Sequence, residues 1–280
     1  MVENRVVVLP DAESVARESA RRLVKGLREP LAARGEAHLA LTGGSSAVAL
    51  YRELGGSAQW RQALDWPRVH LWFGDDRFVP VDHPDSNAGL AYSMLLAAGA
   101  RSGESGALGA TAIDVASGTA PGLPVHAENV HPFTIDEALS ESGAAELVAQ
   151  RYAEALRELL PGGTNGLPAF DVVLLGVGGD GHLLSVFPGS AALEPDAPLV
   201  LAIPAPEHIE PHLPRVTLNP RLLEAAGLVL VMVSGGEKAG VLAEILQGDR
   251  DPRRLPAQLA VRDNAVWLLD EAAAGRLARG

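Results

Sequence analysis

Along the chain, short continuous apolar runs alternate with longer stretches in which apolar residues recur at helical spacing. Arg5 to Leu9 is the first such run, and Pro10-Asp11 ends it. From Asp11 to Arg34, Ala, Val and Leu return every three or four residues with Arg and Glu between them, which predicts an amphipathic helix. Ala37 to Leu41 predicts a second strand, closed by Thr42-Gly43-Gly44-Ser45-Ser46 and followed by a helix through Leu54. Val69 to Phe73 predicts a third, ending in a loop at Gly74-Asp75-Asp76-Arg77, and a helix is expected over Pro84 to Ala98.

Between Gly99 and Pro132 the pattern dissolves into Gly, Ser, Ala and Pro, which predicts a long mobile connection carrying at most one short strand. The pattern then resumes with a helix over Ala144 to Leu160 and a strand over Phe170 to Leu175. Further strands are expected at Leu199 to Ile203, Arg215 to Leu218, Leu228 to Val233 and Ala265 to Leu269, with a helix at Glu237 to Leu246 between the last two. Strand, turn and helix repeated with continuous apolar strands indicate a mostly parallel sheet covered on both faces. No repeat divides the chain, so residues 1–280 read as a single α/β domain. Ligands of such sheets bind beyond the carboxyl ends of the strands. Four glycine-rich or charged segments lie there: Thr42 to Ser46, Gly74 to Arg77, Gly176 to His182, and Ser234-Gly235-Gly236-Glu237-Lys238.

Composition narrows the partners. At 47% hydrophobic but only 4% aromatic, the core must be built mainly of Ala, Val and Leu. A net charge of −12 argues against nucleic acid or an anionic membrane, both of which need a broad basic surface. It leaves room for a small anionic substrate in a local basic pocket. The absence of cysteine removes disulfides, thiolate metal sites and cysteine nucleophiles, and suits a reducing cytoplasm. No segment reaches the roughly 20 apolar residues that span a bilayer, and Glu3 and Pro10 are wrong for a secretory signal. Nothing in the pattern sets an oligomeric state.

The chemistry concentrates in Gly176 to Pro188. Gly176, Gly178 and Gly181 match G-x-G-x-x-G, and Asp196 follows Gly176 by 20 residues. A dinucleotide motif opens a full helix, however, whereas Pro188 stops this segment early. Glycines also let a backbone approach a ligand, and they leave Asp180 and His182 at the rim. An imidazole with a neighbouring carboxylate is suited to general base work near neutrality. The local sequence leaves a capped surface turn and a catalytic histidine both open. Thr42 to Ser46 reads equally as an anion cradle at a helix N-terminus or as an ordinary cap. Asp75, Asp76, Asp82, His83 and Asp85 lack a diagnostic metal spacing. No serine stands in G-x-S-x-G, so any hydrolysis is expected to use activated water.

Four motifs in order carry a resemblance. They are Thr42-Gly43-Gly44-Ser45; then Trp72-Phe73-Gly74-Asp75-Asp76-Arg77-Phe78-Val79-Pro80 with Asp82, Ser86 and Asn87. After them come Gly179-Asp180-Gly181-His182-Leu183-Leu184-Ser185-Val186-Phe187-Pro188-Gly189 and Pro214-Arg215-Val216-Thr217-Leu218. The chain resembles the 6-phosphogluconolactonase family across its length. That resemblance implies a Rossmann-like three-layer α/β/α fold shared with glucosamine-6-phosphate deaminase and ribose-5-phosphate isomerase. It implies a sugar-phosphate lactone as substrate and a carboxylic ester hydrolysis in which His182 activates water, with Asp180 and Arg77 as catalytic partners. Gly43, Gly44, Ser45, Asp75, Arg77, Arg215 and Lys238 would bind the phosphorylated substrate, with no metal or organic cofactor. The chain departs from the family at Asp76 for Glu, at Leu183-Leu184 for Thr-Ala, and near Glu210 for a lysine. His208, His212 and Lys238 are the cations available to replace that lysine. A sugar-phosphate isomerase or deaminase of the same fold, or a non-catalytic sugar-phosphate sensor, are the alternative readings.

Overall fold

The computed structural model describes residues 5–96 and 122–278. In chain order it begins β1 (Val6–Leu9), α1 (Ala12–Arg34), β2 (Ala37–Leu41), α2 (Gly44–Gly56), α3 (Ala58–Arg61), β3 (Val69–Phe73), β4 (Asp75–Arg77) and α4 (Asn87–Met94). It continues with β5 (Val130–His131), α5 (Ile135–Ser140), α6 (Ala145–Leu159), β6 (Val172–Leu175), β7 (Val200–Ile203), β8 (Arg215–Leu218), β9 (Leu228–Val233), α7 (Ala239–Gln247) and β10 (Ala265–Asp270). The helix α1 has the ends its sequence asks for. Asp11 accepts a hydrogen bond from the Ser14 N–H at 2.7 Å, and Gly35 closes the last turn with a left-handed φ of 82°.

Seven strands form one sheet in the order β1-β10-β9-β6-β2-β3-β5, and every pairing in it is parallel. The strands β2 and β6 are buried at every residue, as strands covered on both faces must be. From β2 the chain runs outward to β3 and β5, then returns beside β2 as β6 and runs the other way. The sheet therefore changes direction between β2 and β6. A crevice opens beyond their carboxyl ends, where Thr42 to Ser46 and Gly176 to His182 both emerge.

The expectation that the polar segment after β3 is a loop is corrected. Asp75–Arg77 is β4, which pairs antiparallel with β8, and β8 pairs antiparallel with β7. The expected strands near 200 and 215 thus build a second, three-stranded sheet rather than extending the parallel one. Gly74 is the junction: its N–H donates to Leu41 O in the parallel sheet, and its carbonyl accepts from Leu218 N–H in the small one, both at 2.8 Å. A Cβ there would lie 2.7 Å from Leu184 Cδ2 and 3.2 Å from Leu41 O. The helix expected over 84–98 is shorter at both ends, because Ser86 caps it and residue 95 already leaves it. The helix expected from Glu237 begins at Ala239 after a short 3-10 turn. Of the expected connection at 99–132, residues 99–121 lie outside the described residues. Residues 122–132 pack Leu123, Val125 and Val130 into the core and contain β5.

At the opposite end of the sheet from the crevice, β2, β3 and β5 bring three histidines together. His38 is level with His70, and Trp72 with His131. Trp72 Nε1 donates to His38 Nδ1 at 3.2 Å, His70 Nδ1 lies 2.9 Å from His131 Nε2, and the Trp72 ring stacks on His131 at 4.1 Å. Burial, followed by the neighbouring imidazoles, lowers His131 to about 4 and also lowers His38, where Asp171 and Glu36 pull the other way. Burial lowers His70 as well, against Glu36. Below the ordinary histidine value the unfolded chain binds protons that the folded chain refuses, so stability falls as pH drops from about 6.5 towards 4. For His131 alone the loss by pH 5 is up to about 2 kcal/mol. The thermal midpoint should therefore fall on acidification, and His131→Gln should flatten that dependence. Identical slopes for parent and variant would contradict this account.

Candidate active site

The segment after β6 is shaped around one histidine. Gly178 N–H donates to His182 O at 2.9 Å, and Gly181, at φ 82°, donates its N–H to Gly178 O at 3.0 Å. This tight turn brings His182 Nδ1 to 2.5 Å from Asp180 Oδ1, which also accepts the His182 backbone N–H at 3.1 Å. A Cβ at Gly178 would overlap the His182 ring at Nδ1 and Cε1 and lie 2.7 Å from Asp180 Oδ1. Only glycine leaves that space free. Burial would raise the Asp180 carboxyl, but the hydrogen bond and charge of His182, joined by His208, hold it well below the usual carboxylate range. No helix opens after Gly181, so the context of a dinucleotide motif is absent.

Another part of the same cleft belongs to the small sheet. Arg77 and Arg215 are register partners on β4 and β8, which sets two like charges side by side. Arg215 is only 4% exposed, and the Nε atoms of both arginines are buried without a partner. Burial, and then the Arg77 charge, lowers Arg215 against the opposing pull of Asp75, Asp85 and Asp76. Arg77 is aimed by a bond from its guanidinium to Asp85 O at 2.5 Å, and Arg215 by one to Pro211 O at 3.0 Å. Behind them Asp75 accepts from Ser185 Oγ at 2.5 Å. Asp76 ties β4 to α4 by accepting the N–H groups of Arg77, Asn87 and Ala88 at 2.7 to 2.9 Å. Burial pushes its carboxyl up to about 6 despite those donors. The short side chain that replaces a family glutamate thus has a structural task.

Two further elements close the cleft. The helix α2 starts at Gly44 with Gly43 as its cap residue and no side chain satisfying its first N–H groups. Its first turn therefore offers free amides to an anion. Lys238, from the turn before α7, donates to Val177 O at 2.8 Å. The structure brings His182, Arg77, Arg215, Asp75, Lys238, Gly43, Gly44 and Ser45 to one cleft with Gly176 to Gly179, and Asp180 braces His182. Asn87, Leu184, Ile209 and Met232 also line it, and none of these was expected as a site residue. Asn87 was legible as part of the Ser86-Asn87 motif, whereas Ile209 carries no signal in sequence.

Other residues stand elsewhere. Glu210 points outward and pairs with His212 at 3.1 Å, while His212 Nδ1 faces Pro206 O. His208 lies on Asp180. Of the three replacements for the family lysine, only Lys238 reaches the cleft. His83 Nδ1 accepts the Asp85 N–H at 3.2 Å and lies 3.7 Å from Asp85 Oδ2, and among the described residues no group of three His, Asp or Glu side chains could hold a metal ion.

Comparison with known proteins places the chain among relatives. The family described as glucosamine-6-phosphate isomerases/6-phosphogluconolactonase matches residues 10–268. The chain is 32% identical over 277 residues to the 6-phosphogluconolactonase of Mycobacterium tuberculosis, covering 99% of both chains. It is 35% identical over 242 residues to that of Rattus norvegicus, covering 86% of this chain and 80% of the other. Among solved structures, the 6-phosphogluconolactonase of Trypanosoma brucei superposes with a TM-score of 0.76 at 28% identity, covering 98% of each chain.

The turn geometry yields a test that needs no substrate. Gly178→Ala should expel the His182 ring from Asp180, and the low-field Nδ1 proton signal of that bond should vanish from the NMR spectrum while the circular dichroism stays that of the parent. Persistence of the signal would show that the turn relaxes without losing the pair.

Proposed function

The chain belongs to the family of glucosamine-6-phosphate isomerases and 6-phosphogluconolactonases, and we propose that it hydrolyses 6-phospho-D-glucono-1,5-lactone to 6-phospho-D-gluconate. This is a step of the oxidative branch of the pentose phosphate pathway, and its setting is the cytoplasm. One observation carries the reading of the site. The His182 Nδ1 is committed to a carboxylate at 2.5 Å, which leaves Nε2 for a cleft that also holds two adjacent guanidinium groups.

The steps follow from that arrangement. Arg77, Arg215 and the amides around Gly43, Gly44 and Ser45 take the phosphate, whose charge answers the repulsion between the arginines. Asp75, with one oxygen on Ser185, accepts from a sugar hydroxyl. Water then gives a proton to His182 Nε2 as its oxygen bonds to C1 of the lactone. Asp180 steadies the imidazolium that forms. Lys238, held beside the His182 turn on Val177 O, offers its remaining N–H groups to the tetrahedral oxyanion. When the bond from C1 to the ring oxygen breaks, the ring oxygen takes the electron pair and the proton from Nε2. The new carboxylic acid ionises and releases one proton per turnover.

Proton release from freshly prepared lactone should therefore exceed spontaneous hydrolysis in proportion to protein added, and an uncatalysed rate would reject the activity. Arg77→Ala and Arg215→Ala should each weaken 6-phosphogluconate binding about tenfold or more, as expected for charge-assisted contacts. Gluconate, which lacks the phosphate, should lose much less. Equal losses for both ligands by calorimetry would take these arginines out of the phosphate site.

A further inference from the structure

His208 stands where none of the steps above uses it. It lies on the loop between β7 and β8 with its side chain 52% exposed, and its Nε2 is 2.9 Å from Asp180 Oδ2. The other oxygen of that carboxylate holds His182 Nδ1. One carboxylate thus lies between two imidazoles. Phe187 sets the spacing of both rings, with its centroid 4.8 Å from His182 and 5.6 Å, edge-on, from His208, while the Arg215 guanidinium sits 5.4 Å over its face. The next residue, Ile209, packs against the core and lines the cleft, which anchors the loop directly after this contact.

We propose that His208 is a positioning residue that acts on His182 through Asp180, an inference that rests on His182 being the base. An ionised carboxylate only accepts hydrogen bonds. Oδ1 has two donors, both from His182, and among the described residues the donor to Oδ2 is His208. With both oxygens held, the carboxylate plane is fixed, and the imidazole plane with it. The His208 N–H on Oδ2 also draws negative charge away from the carboxylate that His182 shares through Oδ1. Asp180 then favours the His182 imidazolium less, and the proton passes more readily to the leaving ring oxygen. The other charged groups nearby are Glu207, Glu210 and His212 on the same loop, Lys238 on Val177 O, and Arg215, Arg77 and Asp75 across the cleft. All of them remain when only His208 is changed.

The test follows the ring nitrogens of His182 by 15N NMR against pH, in the full chain without ligand, for the parent, His208→Ala and His208→Gln. In His208→Ala the midpoint of the His182 change should rise by about half a pH unit, because no donor on Oδ2 then draws on the carboxylate's charge. In His208→Gln the side-chain amide can donate to Oδ2, and the midpoint should return close to the parent's. Turnover should fall about three- to tenfold in His208→Ala with KM within about twofold, and recover in His208→Gln. A midpoint that does not move in His208→Ala, or one that moves and is not restored by glutamine, overturns the proposal. Because the NMR titration uses no substrate, it decides on His208 even if the parent fails to hydrolyse the lactone.

Discussion

Asp180 can hold His182 only because Gly178 leaves the space between them empty. The contact joins residues two apart, and a chain achieves it by turning sharply at the end of a buried strand. The strand β6 supplies the rigid base, since all four of its residues are buried between neighbours on both sides. Gly181 completes the turn in a left-handed conformation and is pinned by Ala257 N–H donating to its carbonyl at 2.9 Å. Leu184 also adopts a positive φ, 54°, which is costly for a residue with a side chain. It persists because Leu184 fits against Gly74, the residue that joins the two sheets. The strain at the active turn and the junction of the fold are thus one packing problem.

The electrostatics have the same economy. A chain with a net charge of −12 repels anions at long range, so an anion must be recognised locally. In the proposed reading the small sheet does this with Arg77 and Arg215, which it pairs in register while burying the second. Unoccupied, the arrangement costs stability through repulsion and lost solvation, and a phosphate bound as proposed would offset both. Asp75, Asp76 and the Asp85 carbonyl temper the repulsion without filling the cleft.

Much of this was legible in sequence because it is local. The strands β2, β3, β8 and β9 match their apolar runs residue for residue, and Asp180-Gly181-His182 announced itself by following a buried strand. What stayed hidden was non-local. The segment Asp75–Arg77 is too short and too polar to show a strand period, and it is a strand only because Arg215 to Thr217 pairs with it from 140 residues away. Ile209 and His208 lie in a loop without periodicity; Ile209 lines the cleft, and the place of His208 depends on Phe187 and Asp180. The family lysine near Glu210 is replaced in space by nothing on that loop, since Glu210 and His212 pair with each other.

The claim on which the rest depends is that His182 takes the proton from water. It is tested most directly by comparing His182→Ala and His182→Asn with the parent for both lactone turnover and 6-phosphogluconate binding. Turnover should fall by about 10²–10⁴, the usual worth of a positioned base, and asparagine should do little better than alanine because it cannot take the proton. Binding of 6-phosphogluconate should change by no more than a fewfold, since the phosphate is assigned to Arg77, Arg215 and the amides around Gly43 to Ser45 rather than to His182. A folded His182→Ala protein that turns over the lactone within a fewfold of the parent would contradict the account.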